Sequence, residues 1–228
     1  MTALTPDDAL AALARELAAA NDVETVWRRV VEASVEQIEG AQHAGITLIS
    51  AASVSTPVCS DELVVDIDKH QYSTGQGPCL QAAVDEEPVV RADDLRADPR
   101  WPEFAAGAVN LGVLSMLCFQ LYTERETIGA LNIYAEVPNA FTEDSVRTGV
   151  LLATQAALAA ASTLTVGNLR VAMVNRDVIG QAKGILMERY KITAEQAFDL
   201  LVAASQRTHR KLNAVAEQLA TTGVLTID

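Results

Sequence analysis

Few side chains in this chain of 228 residues are placed to do chemistry. His43, His70 and His209 show no HExxH or i, i+4 pairing, and no P-loop, GxGxxG or GxSxG elbow occurs. No enzymatic activity, metal or cofactor is expected. Gly75-Gln76-Gly77-Pro78 comes nearest to a phosphate loop, because it precedes a helix start whose free N–H groups attract anions, but it lacks the Lys. It reads either as a plain turn or as the rim of a small-ligand pocket, with Gly75 and Gly77 as contacts. Asp93, Asp94 and Asp98, next to Pro99, read as a solvated, capped loop rather than a metal site. Cys118 lies in an apolar run, where a thiol without a cationic neighbour stays protonated, so it reads as core before redox sensor or ligand contact. The C-terminal region is richer. Arg176, Lys183 and Met187 are seven and four apart, which places them along one helical face, and Gly180 and Gly184 leave backbone open on a neighbouring one. A side-chain-free patch beside a cation lets a phosphate or an unstacked loop base come close. The same glycines also suit tight helix packing, and Lys183 a merely solvated face. Arg207, Arg210 and Lys211 can contact phosphates or complement a helix dipole.

The charge distribution sorts these candidates. Residues 1–165 hold 9 Lys and Arg against 24 Asp and Glu, whereas residues 166–228 hold 8 against 6. Like charges repel, so only the C-terminal stretch tolerates a polyanion. Two domains are expected, 1–165 and 166–228. Hydrophobic residues at 50% and charged residues at 21% are globular values that exclude general disorder. Cys59, Cys79 and Cys118 form no CxxC and are odd in number, which fits a reducing cytoplasm. The most apolar run, Gly149 to Ala161, is interrupted by Thr154 and Gln155, and Asp7 and Asp8 stand where a secretory signal needs basic residues. A soluble cytoplasmic protein without membrane contact is expected.

The positioning elements follow from local signals. Thr5-Pro6 with Asp8, and Asn21 with Glu24, open two helices. Segments around Ile46 and Leu48, then Leu63 to Ile67, Pro88 to Val90, Leu111 to Tyr122 and Thr127 to Tyr134, read as strands, the last two joined by a hairpin loop Thr123 to Glu126. A short helix is expected at Pro78 to Asp85 and irregular chain from Asp93 to Phe104. This is an α+β domain with an antiparallel sheet. Thr142, with acids after it and Phe141 and Val146 at staple spacing, opens a helix that nothing stops before Tyr190. A 4-3 spacing through Val146, Val150, Ala153, Ala157, Ala160, Leu164, Gly167, Val171, Val174, Val178, Gln181 and Ile185 suggests a coiled-coil seam of a homodimer, although one amphipathic helix packed on its own domain also fits. Thr193 with Gln196 caps a helix burying Ala197, Phe198, Leu201, Ala204 and Thr208, and a last helix from Leu212-Asn213 stops near Gly223.

Two stretches carry a family resemblance. Ile179 through Arg189, containing Ala182-Lys183-Gly184-Ile185-Leu186-Met187, then Glu195-Gln196-Ala197-Phe198, then Arg210-Lys211-Leu212-Asn213-Ala214-Val215-Ala216, resembles the ANTAR domain over about residues 165–224. The resemblance implies a three-helix antiterminator module that binds paired stem-loops in nascent transcripts, usually as a dimer. Taken with the helical face and the basic cluster described above, it points to Arg176, Ala182, Lys183, Gly184, Met187, Arg207, Arg210 and Lys211 as RNA contacts. The preceding region is similar to a GAF sensor domain of the kind actinobacterial regulators place before an ANTAR unit. That similarity rests on Gly75 through Ala82, Asp94-Leu95, Asp98-Pro99-Arg100-Trp101-Pro102 and Ile128 through Tyr134. It implies control by a small-molecule or protein signal, but the chain has no NKFDE pattern, and no bilin Cys or haem His can be assigned. The competing reading is a DNA-binding transcription factor with a helix-turn-helix tail, for which the last helix offers few base-reading side chains and includes Glu217.

Overall fold

Alternation along two neighbouring strands organises the first part of the structure. In this computed structural model, which describes residues 6–50, 53–84, 87–123 and 127–226, the chain divides into two units, Met1–Leu164 and Thr165–Asp228. The first unit holds β1 (His43–Ser50), β2 (Ser53–Cys59), β3 (Val89–Ala92), β4 (Ser115–Tyr122) and β5 (Thr127–Ala135). They form one antiparallel sheet in the order β2-β1-β5-β4-β3. Leu117, Phe119 and Leu121 of β4 and Leu131, Ile133 and Ala135 of β5 turn to one face, as period-two geometry requires. There they meet α1 (Pro6–Ala18), α2 (Val23–Gln37) and the start of α6 (Glu143–Tyr190). Met116, Cys118, Ala130 and Tyr134 turn to the other face, covered by α3 (Glu62–Thr74), α4 (Pro78–Val84) and α5 (Pro102–Asn110). Two apolar layers on one sheet make this the expected α+β fold with helices on both faces.

Several local expectations are corrected. Leu63 to Ile67 is not a strand but lies in α3. Asp61 caps that helix by accepting from the Leu63 N–H at 3.0 Å, Gly75 closes it in the left-handed conformation, and Val64, Ile67, Asp68 and Gln71 form a buried helical stripe. The adjacent Val64-Val65 imitates a β run. The strand expected from Leu111 begins only at Ser115, since Leu111 caps α5, and α5 itself starts inside the stretch expected to be irregular, with Pro102 in its first turn. Asp22, not Asn21, caps α2 by accepting from the Thr25 N–H at 2.8 Å. The Thr5 cap, Asp85 and the loop residues Glu124 to Glu126 lie outside the described residues.

The uninterrupted helix is found: α6 runs 48 residues and carries the chain into the second unit. Its expected seam is divided. Ala153, Ala157 and Ala160 are buried within the first unit, whereas Val150, Leu164, Val171 and Val174 are exposed. The small alanines are where the helix approaches its own sheet, so this half of the seam cannot face a second copy. An 18-residue window of α6, mean hydropathy 1.5, is apolar and long enough to cross a membrane, contrary to the expectation from Thr154 and Gln155. Core helices share that composition, and Leu152, Ala153, Ala156 and Ala160 lie in the core of the first unit.

In the second unit α6 is joined by α7 (Ala194–Thr208) and α8 (Leu212–Thr222) around Ala182, Leu186, Ala197, Leu201, Ala204, Val215, Ala216 and Leu219. The capping box is complete: the Thr193 hydroxyl accepts from the Gln196 N–H, and the Gln196 side chain accepts from the Thr193 N–H. Gly223 ends α8 in the left-handed conformation.

Candidate functional site

Helical periodicity decides which side of α6 the second unit leaves open. Ala182 and Leu186 point into the three-helix core, and one residue onward, about 100° round the helix, Lys183 and Met187 emerge beside it. Ala182 is fully buried, so its expected role as an RNA contact is corrected: it packs. Lys183 is half-buried with its Nζ 5.9 Å from the centroid of the Phe198 ring. Phe198, expected in the core, is 39% exposed, and Met187 is 36% exposed. A Cβ added at Gly180 or Gly184 would meet nothing within 4 Å. Tight packing within the chain is therefore no reason for either glycine, although each costs the helix about 1 kcal/mol relative to Ala. Arg176, Arg207, Arg210 and Lys211 are exposed. Arg207 stands in the last turn of α7, Arg210 donates to Gln218, and Lys211 precedes α8 without capping it through its side chain.

The cations of the two units differ in their partners. In the first unit Arg28, Arg29, Lys69, Arg91, Arg96, Arg100 and Arg147 all pair with carboxylates. Hydrogen bonds from Arg96 and Arg100 lower the carboxyls of Asp94 and Asp98 from their ordinary value, and Arg91 pairs with Asp93, so this loop is internally neutralised. In the second unit Lys191 pairs with Glu188, but among the described residues Arg176, Lys183, Arg207, Arg210 and Lys211 form no ion pair.

A second cluster lies inside the first unit, and sequence reasoning missed it because α3 reads as a strand. Asp68, fully buried, accepts from Tyr134 Oη at 2.5 Å, Thr56 Oγ1 at 2.6 Å and Gln71 Nε2 at 3.1 Å. Asn132 Nδ2 donates to Thr47 Oγ1 at 2.9 Å and the Cys79 thiol to the same oxygen at 3.2 Å. Burial pushes the Asp68 carboxyl above its ordinary value, against the pull of the hydrogen bonds from Thr56, Tyr134, Gln71 and Thr47. Burial and the Asp68 charge push the Cys79 thiol up to about 12. Cys118 is also raised, by burial first, so both thiols stay protonated and unreactive. Asn132 Oδ1 is buried without a partner among the described residues.

Gly75, Gly77 and Cys118 do not converge on an opening. Gly75 closes α3, and Cys118 is fully buried beneath α3 to α5. Gly77 has φ +138°, and a Cβ there would lie 2.1 Å from Gln71 Oε1, the oxygen that accepts the Cys79 N–H at 3.1 Å. The helix start that resembled an anion site is thus bound by the protein itself. A surface hollow of about 410 Å³ lies against the other face of the sheet, lined by Pro88, Phe119, Tyr122, Val150 and Leu158.

A sheet with helices on both faces, followed by a long helix and a three-helix unit, is a two-domain architecture. Residues 20–161, more than half of the chain, match the GAF domain, and the chain belongs to that family. Residues 167–219 match the ANTAR domain, so the order is GAF then ANTAR, that of a signal-transducing regulator. No curated protein matches the chain. Among solved structures it is similar to the GAF domain of a phosphoenolpyruvate-protein phosphotransferase from Coxiella burnetii, at 17% identity and TM-score 0.56, covering 74% of this chain and 99% of that one. It is also similar to free methionine-R-sulfoxide reductase from Neisseria meningitidis in complex with its substrate, at 17% identity and TM-score 0.54, covering 73% and 99%. The photosensory core module of a Stigmatella aurantiaca phytochrome gives 10% identity and TM-score 0.63 over 93% of this chain but 45% of that one. At such identities the likeness is one of fold.

Proposed function

We propose that this protein is a cytoplasmic, signal-responsive RNA-binding regulator, of the kind found in actinobacteria, that binds paired stem-loops in nascent transcripts and thereby prevents termination. The GAF domain receives a small-molecule or protein signal, the ANTAR domain binds RNA, and the chain works as a homodimer without catalytic activity or cofactor. The observation that carries this reading is the set of cations without an ion pair in the second unit, Arg176, Lys183, Arg207, Arg210 and Lys211, in a protein where seven first-unit cations, Arg28, Arg29, Lys69, Arg91, Arg96, Arg100 and Arg147, pair with carboxylates. Phosphates supply the missing anions, with counterion release as the driving force. The DNA-binding alternative is less well supported. On α8, Asn213 donates to Asn175 at 3.1 Å and Gln218 accepts from Arg210 while donating to Thr226 at 2.8 Å, so its amides are engaged within the unit rather than free to read bases.

Gel shifts of the full chain against a two-hairpin RNA and a duplex DNA of equal length test the proposal. Selective RNA binding is expected, and Lys183→Ala should weaken it and lower the slope of log affinity against log salt by ~0.7. Equal or stronger binding to the DNA, or a Lys183→Ala variant with wild-type affinity and slope, overturns it.

A further inference from the structure

Cations hold any nucleic acid, paired or unpaired, so they do not by themselves select a hairpin loop. An exposed aromatic ring beside a cation can, and Phe198 is such a ring. Phe198 lies one position past Ala197, which faces the core, so its ring emerges at the edge of the α6–α7 packing and remains 39% exposed. An isolated exposed ring is ordinary on a protein surface. This one is not isolated: the Lys183 ammonium sits 5.9 Å from its centroid, with no carboxylate to hold it among the described residues. A cation over an exposed ring gains only about 0.5–1 kcal/mol, so Lys183 is parked there rather than locked. On the α6 stripe that carries Lys183, Gly180 lies one turn before it and the half-exposed Met187 one turn after, and Gly180 and Gly184 leave the helix surface open.

Resting on the RNA-binding reading above, we propose that Phe198 and Lys183 form a seat for one unpaired base of an RNA loop. The base stacks on the Phe198 ring, while Lys183 swings from the ring to the adjoining phosphate. The occupant is fixed by two complementarities. The unpaired ammonium needs an anion, and the exposed aromatic face needs a flat apolar partner; a nucleotide with a splayed base offers both at once. Paired RNA keeps its base faces stacked inside the helix, so it can satisfy Lys183 but not Phe198. The seat therefore confers preference for loops over duplex, separately from the overall attraction of the cations.

The test uses the full chain, a two-hairpin RNA carrying 2-aminopurine at each loop position in turn, and a fully paired RNA of the same length. One loop position should change fluorescence on binding to the wild type and to Phe198→Tyr, which keeps the stacking face. Phe198→Leu keeps apolar volume but not the ring; it should lose that change and bind the hairpin RNA about tenfold or more weakly, the loss of one base–aromatic stack. Its salt slope and its binding to paired RNA should match the wild type, whereas Lys183→Ala should weaken both RNAs and lower the slope. Circular dichroism of each variant verifies the helices. Wild-type affinity for the hairpins in Phe198→Leu, or no loop position that reports stacking in the wild type, overturns the seat and leaves the RNA-binding reading standing. A wild type that binds neither RNA removes that reading and the seat together.

Discussion

At the scale of single residues, Asp68 has the most unusual environment in the first unit. Its carboxyl is caged by neutral donors from three elements, Thr56 on β2, Gln71 on its own helix and Tyr134 on β5, with Thr47 and Tyr72 close by and, among the described residues, no basic side chain hydrogen-bonded to it. Because burial raises its pKa above 3.8, the folded protein binds a proton there more tightly than the unfolded chain does. Linkage then fixes the sign: the contribution to stability is full below the unfolded value and is lost as pH rises through the folded one. Asp68→Asn removes the titration. Thermal unfolding of the two proteins side by side should show the variant gaining on the wild type as pH rises above the ordinary carboxylate value of ~4. A constant difference across that range would mean that Asp68 does not titrate there.

Among the elements, α3 and α6 show what could be read from residue order and what could not. Caps and breakers are local, so the Thr193 box, the Thr142 start and the left-handed Gly75 and Gly223 are recoverable from neighbours in the chain. Periodicity over a few residues is not: Leu63 to Ile67 supports a strand as well as a helix, and the choice is settled over the longer span from the Asp61 cap to Gly75, where Val64, Ile67, Asp68 and Gln71 are buried at helical spacing. The Asp68 cluster was hidden by the same ambiguity. The glycines of α6 were ambiguous because a sequence does not say what surrounds a missing side chain. Gly149 has the Phe119 ring where its Cβ would be, at 2.0 Å, while Gly180 and Gly184 face open space. Opposite effects follow. Gly149→Ala should destabilise the protein by roughly 1–3 kcal/mol through overpacking. Gly180→Ala and Gly184→Ala should each stabilise it by up to about 1 kcal/mol through helix propensity. Denaturant unfolding measures all three, and a loss of stability at Gly180 or Gly184 would show that these positions pack against something after all.

On the scale of the whole molecule, the question is what covers the outer side of α6. Between Arg147 and Arg170 the helix carries no charged residue, although a face that stays in water normally carries several. On the side turned away from its own core, Leu151 and Leu158 are 49% and 66% exposed and stand seven residues apart, the spacing of a coiled-coil seam. An identical helix from a second copy presents the same uncharged surface and needs no complementary charge, which is why a homodimer through this side fits better than the alanine seam read from the sequence. Two substitutions one residue apart separate the possibilities. Leu158→Glu places like charges at the proposed contact while touching little of its own fold, so sedimentation should show a monomer whose folding is intact. Ala157→Glu instead buries a carboxylate where the side chain is 2% exposed, and should lower the unfolding temperature sharply whether or not a second copy is present. A monomeric wild type would remove the dimer from the proposal. A dimeric Leu158→Glu variant would move the contact to another part of the chain, with the exposed Leu169 and Met173 of the second unit as the next positions to change.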